Sequence, residues 1–193
     1  MAGPSHIFAM IHRSEALQLL SNYLENPKLR YHSFAVEAIM KNTAAWLDKD
    51  QQLWGLVGLV HDLDYEYTQQ NPQTHGLVTA EILDGLLPDK AINAIKAHNY
   101  VHTDTIPTSS LDKALLASDA LSGLIIATAL VMPQKKLAEV TVQSLKKKFT
   151  DSSFAKGCSR GKIMLCEDIG ISRDDFLQLG LDSLQQIAST IGL

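Results

Sequence analysis

Residues 53–66, LWGLVGLVHDLDYE, carry the reading that decides the fold of this 193-residue chain. Trp54, Val57, Gly58 and His61 recur at three- and four-residue spacing. A helix over about Gln51–His61 therefore presents a histidine on its apolar face. The following stretch, Asp62 to Thr74, is polar, holds Asn71-Pro72, and reads as a loop. Neighbouring residues on a helix point about 100° apart. His61 and Asp62 can thus face one cavity only where the helix ends and the second residue turns back, and the loop supplies that end.

Outward from this segment, apolar residues recur at three and four almost everywhere, while period-2 alternation is scarce. The pattern predicts an all-α, single-domain helical bundle over residues 1–193. Helices are expected at about Ser14–Glu25, Tyr31–Asp48, His75–Leu87, Pro88–Asn99, Leu111–Val131, Leu137–Phe149 and Arg173–Ile191. Ser14 serves as an N-cap, Asn26-Pro27 as a break, and Pro88 as a first helical residue. The apolar share of 46% and charged share of 20% are those of an ordinary globular protein. A net charge of −4 is too mild to indicate a nucleic-acid polymer or a membrane as partner. Cys158 and Cys166 cannot build a disulfide framework and read as part-buried thiols in a reducing compartment. Met1–Met10 lacks a basic start followed by an apolar core, so no secretory leader is expected. The apolar run Leu115–Met132 is long enough to span a bilayer, but it contains Asp119. A charge there costs about 2.5–3.5 kcal/mol. A buried core helix in a cytoplasmic protein is the expectation.

Several polar residues fall on apolar faces. His32 shares a face with Ala35, Val36 and Ile39, and His98 with Ala91, Ala94 and Ile95. Asp119 follows Leu115 and Leu116 and precedes Ile126. A buried carboxylate is expensive unless something positive meets it, and no Lys or Arg lies on those stripes. A divalent cation satisfies the whole set. Imidazole with carboxylate favours Fe, Mn, Co, Ni or Zn over Mg.

A lone histidine, a His-Asp pair after an apolar helix, and a distant aspartate make up an ordered set: His32, His61-Asp62 and Asp119, separated by 29 and 57 residues. With the segments YHSFAVEAIM, LWGLVGLVHDLDYE, HGLVTAEIL, AINAIKAHN and LLASDALSGLI around them, they resemble the HD superfamily. The likeness covers about 29–130, leaving 131–193 as a helical extension. Its segment VTVQSLKKKFTDSSFAKG resembles the stretch after the HD core in a bacterial and archaeal branch.

The resemblance implies a metal-dependent phosphohydrolase acting on a nucleotide or other small phosphorylated metabolite. It also implies one metal on His32, His61, Asp62 and Asp119, or two when further histidines join and the Asp of the pair bridges. His75, 14 residues after His61, and His98, 23 residues further on, resemble those second-metal ligands. They also fit a surface helix start and a substrate contact. His98 is followed by Asn99, so the His-His pair of the cyclic dinucleotide-hydrolysing branch is missing. Asp62 is the bridging catalytic residue in this picture. Asp64, Glu37 and Glu66 are candidate general bases, with solvated charges as the alternative for the loop pair. Lys146, Lys147 and His102 are candidate substrate contacts, although a lysine run also fits a solvated face. Two other functions suit the ligand set: a di-iron oxygenase of the HD type and a nucleotide-sensing module.

Overall fold

The computed structural model describes residues 10–193; apart from Met10, the stretch read for a secretory leader lies outside them. Among the described residues there are eleven α-helices and no strand, as three-and-four periodicity requires. They are α1 (Arg13–Tyr23), α2 (Pro27–Trp46), α3 (Gln51–Val60), α4 (Tyr65–Thr68), α5 (Leu77–Ile82), α6 (Asp89–His98), α7 (Tyr100–Thr103), α8 (Ser110–Leu130), α9 (Val142–Thr150), α10 (Arg160–Asp168) and α11 (Arg173–Gln186). Single 3₁₀ turns sit at Pro72–Thr74 and Leu137–Glu139.

Caps explain most of the boundaries. Asn26 accepts from the Lys28 amide with Pro27 in the first turn, so the dipeptide that ends α1 also starts α2 four residues earlier than expected. His12, rather than Ser14, precedes the first residue of α1, and Pro88 caps α6 instead of opening it. The expected helix at Leu137–Phe149 breaks into a 3₁₀ turn and α9, because Thr141 caps a new start by accepting from the Ser144 amide. The helix α10 lies in a stretch where none was expected. Only Ile163 and Cys166 are buried on it, too few to mark an apolar stripe. Burial and the Glu167 charge push the Cys166 thiol up to about 11, so it behaves as a packed apolar group.

Two apolar clusters share α2 and α8. The first joins α1, α2, α3 and α6 to the start of α8 through Leu20, Val36, Met40, Leu59, Ile95 and Leu115. The second joins Ile39 and Leu121 to Leu145, Ile163, Phe176 and Leu184, which packs the C-terminal helices onto the same central pair. The helix α8 is long and apolar enough to cross a membrane, yet 67% of that window is buried within the fold.

Helix α3 packs on α2 with the backbones in close approach. A Cβ at Gly58 would stand 2.9 Å from the Val36 carbonyl oxygen and 3.0 Å from the Glu37 amide, both backbone atoms that cannot swing aside. Next to this contact, Glu37 is almost fully buried and accepts from Arg13 Nε at 2.6 Å, Arg13 Nη2 at 2.8 Å and Lys41 Nζ at 2.8 Å. Burial pushes its pKa upward, but these bonds and the two cationic charges outweigh burial and leave it lowered. Glu37, expected above as a possible base, therefore ties α1 to α2 and lines a cavity of about 230 Å³ with Arg13, Phe34 and Asn42.

Two stability effects are expected. Gly58→Ala should cost about 1–3 kcal/mol by overpacking, lowering Tm by several degrees in a thermal melt. Glu37→Gln should destabilise the fold by about 1–2 kcal/mol at neutral pH, since hydrogen bonds to a charged group are lost. A carboxyl whose folded pKa lies below its unfolded value stabilises above the unfolded value, about 4.3. That contribution disappears as pH falls through the lower folded value. Urea unfolding from pH 7 to pH 2.5 should show the gap between wild type and Glu37→Gln closing in acid.

Candidate metal centre

Six of the residues singled out from sequence meet in the interior. His32 comes from α2, His61-Asp62 from the end of α3, His75 from the turn before α5, His98 from the end of α6 and Asp119 from α8. Asp62 sits at the middle. Its Oδ1 lies 3.3 Å from His61 Nε2, 3.4 Å from His75 Nε2 and 3.2 Å from His98 Nε2, while Oδ2 lies 3.6 Å from His32 Nε2. Asp119 Oδ1 approaches His32 Nε2 at 3.2 Å.

The opposite edge of each ring fixes its orientation. His61 Nδ1 is 2.8 Å from the Gly58 carbonyl, and His98 Nδ1 sits against the Ile95 carbonyl. A carbonyl oxygen can only accept, so both Nδ1 atoms donate to it and both Nε2 atoms face the cluster. His75 Nδ1 donates to Asp64 Oδ1 at 2.8 Å, and His32 Nδ1 faces the Ser122 hydroxyl at 3.2 Å, which in turn donates to the Asp119 carbonyl. Four basic nitrogens consequently converge on two carboxylates. His75 Nε2 and His98 Nε2 are 2.9 Å apart. His61 Nε2 is fully buried and has no hydrogen-bond partner.

Such an arrangement is one that a Lewis acid would hold together. The donor set fits a divalent cation on this ground: an orphaned imidazole nitrogen, converging imidazole rings and ionised carboxylates. Two groups have ligand atoms mutually within 4.8 Å, His32-His61-Asp62 and Asp62-His75-His98, and they share Asp62. Asp119 lies outside this strict grouping and adjoins it through His32.

The charges match the same layout. Burial raises the Asp119 carboxyl, but the His32 bond and the His32 and His61 charges override it and bring it to about 2. Asp62 is likewise held well below the usual carboxylate range, burial being outweighed by His61, His98 and His32. Burial lowers His61, and it stays lowered despite the carboxylates. His32 and His75 are desolvated too, yet their carboxylate partners leave them raised.

Asp64 does not face the cluster as a base would. It is fully buried, its Oδ1 takes the His75 proton, and its Oδ2 accepts from the Gly76 amide at 2.8 Å and the Thr79 amide at 2.9 Å. It thereby fixes the orientation of the His75 ring. Gly76 permits the chain reversal. Its φ is +84°, and a Cβ there would meet the Ile95 carbonyl at 3.0 Å and His98 Cε1 at 3.2 Å. Glu66 accepts instead from the Glu25 and Asn26 amides, tying the loop to the α1–α2 junction.

The expected substrate contacts are not among the residues brought together in the cluster. Lys146 pairs with Asp174 at 2.7 Å, Lys147 is exposed on α9, and His102 is exposed on α7. Sequence reasoning missed Lys162, whose Nζ donates to the His98 carbonyl at 3.3 Å. It stands on a helix with no legible apolar stripe, so no pattern pointed to it. Beside His75, Tyr65, Thr68, Gln69 and Pro72 line a cleft of about 410 Å³.

Neither a curated protein nor a solved structure matches the chain. A family model, described as HD domain, matches residues 29–128, more than half of the chain and every residue of the cluster. The ordered ligands and the matched span agree: the chain belongs to the HD-domain family.

Proposed function

We propose that this chain is a metal-dependent phosphohydrolase acting on a small phosphorylated metabolite or nucleotide, with two divalent ions that Asp62 would help to hold. The observation that carries the reading is the position of Asp62, a member of both ligand groups. His32, His61 and Asp119 would complete one position, and His75 and His98 the other. When bound, divalent ions acidify water and offset the charge that develops on a phosphoryl group.

The chain's own residues prepare the site for this. The Gly58 and Ile95 carbonyls hold the protons of His61 and His98 on Nδ1, and Asp64 does so for His75. Each of these three rings is thereby turned so that its Nε2 would be the atom to bind a cation. Complete burial of His61 and near-complete burial of His98 exclude water from the floor. Two divalent ions against two carboxylates and four neutral imidazoles leave a formal surplus of two positive charges. That surplus complements a phosphoryl dianion.

The test is a screen of phosphorylated metabolites and nucleotides with the full-length protein, supplied in turn with Mn, Fe, Co, Ni and Mg. Phosphate release with at least one substrate is expected. Asp119→Ala should reduce it at least about 100-fold, more than loss of an outer hydrogen-bonding partner of a metal ligand costs. Oxygen consumption by the iron-loaded protein without phosphate release from any substrate would overturn the reading in favour of an oxygenase.

A further inference from the structure

The six ligands differ in how far solvent reaches them. The His61 and His98 side chains are 0% and 3% exposed, whereas His32 and Asp119 are 22% and 26% exposed. The centre therefore opens along the His32–Asp119 edge. The short segment Cys158–Lys162 joins α8, near Asp119, to the end of α6. At one end Cys158 Sγ lies against Gly123, one turn beyond Asp119 on α8, close enough that a Cβ there would be 2.9 Å from the sulfur. At the other, the Lys162 ammonium reaches the His98 carbonyl.

Arg160 sets the course of this segment. Its guanidinium donates to the carbonyls of Lys148, Phe149, Asp151, Phe154, Ala155 and Cys158, and so fixes the turn that leads into α10. No carboxylate takes part. Ser159 then caps α10 by accepting from the Lys162 amide at 3.2 Å. The result is a lysine in a defined place against the backbone of the cluster residue His98.

Lys162 is held in place without an ion pair. Lys41, Lys113 and Lys146 are each paired with a carboxylate. Among the described residues, Lys162 has no carboxylate partner, and its ammonium makes a single hydrogen bond to a neutral carbonyl. An ammonium has three donors on a flexible stem, so two remain available.

We infer that Lys162 is the protein's own cation for the substrate's phosphoryl group, binding a phosphate oxygen beside the metal centre. The ligand chemistry rests on the phosphohydrolase reading. One free point charge suits a single terminal phosphoryl group, as in a phosphomonoester. Recognition of a polyphosphate chain would call for several such charges along its length.

Binding of inorganic phosphate to the Mn-loaded, full-length protein, followed by calorimetry, tests this. Lys162→Gln keeps a donor for the His98 carbonyl and removes the charge; it should weaken phosphate binding at least tenfold with metal content and Tm unchanged. Lys162→Arg should stay within about threefold of wild type. If Lys162→Gln proves unstable, Lys162→Met and the retained binding of Lys162→Arg carry the same expectation. Wild-type affinity in Lys162→Gln or Lys162→Met overturns the inference, as does absence of phosphate binding by the loaded wild type. The two readings fail separately. A protein that binds phosphate through Lys162 but hydrolyses no ester sinks only the phosphohydrolase. One that hydrolyses esters with KM unchanged in Lys162→Gln sinks only the role of Lys162.

Discussion

The structure is organised around the orientation of four imidazole rings. Each ring turns Nδ1 toward a group that accepts its proton: two backbone carbonyls, a buried carboxylate and a hydroxyl. Each then turns Nε2 toward Asp62 or Asp119. Ring nitrogens and negative charge meet in an interior where neither is well solvated. No apolar packing advantage explains such a cluster, and among the described residues no Lys or Arg pairs with Asp62 or Asp119. Bound cations would convert the least favourable part of the fold into a strongly cohesive one, because metal binding then contributes to folding free energy.

The surrounding architecture serves that convergence. The close approach of α3 to α2 at Gly58 does two things: it brings His61 and His32 to one cavity, and it leaves the Gly58 carbonyl free to orient His61. The left-handed Gly76 reverses the chain so that Asp64, in the preceding loop, can hold His75. The apolar helix α8 brings Asp119 in from the opposite side, and the C-terminal helices bury its outer face. Away from the centre, Glu37 and Arg160 hold helices and turns with charged hydrogen bonds that leave their own charges satisfied.

How much of this is legible in the sequence depends on the information that helical periodicity can encode. It reports which face a residue occupies, so a polar residue on an apolar stripe is visible: His32, His61, His98 and Asp119 are readable in that way, and the structure brings them together. Periodicity is silent on loops. Asp64 looks like a solvated loop charge until the reversal at Gly76 is known. The direction of a surface helix is equally hidden, so Lys146 looks like a substrate contact and instead faces Asp174 on α11. Lys162 escapes for a further reason. It meets the site through a backbone carbonyl, and such a contact leaves no side-chain pattern to find.

The central claim, that six side chains form one centre for two cations shared by Asp62, is tested most directly by metal stoichiometry. Protein stripped of metal, reloaded with Mn to saturation and freed of excess should hold two ions per chain by elemental analysis, and the double variant His75→Ala, His98→Ala should hold one while remaining folded. A wild type that saturates at one ion, or a double variant that still holds two, would contradict the account.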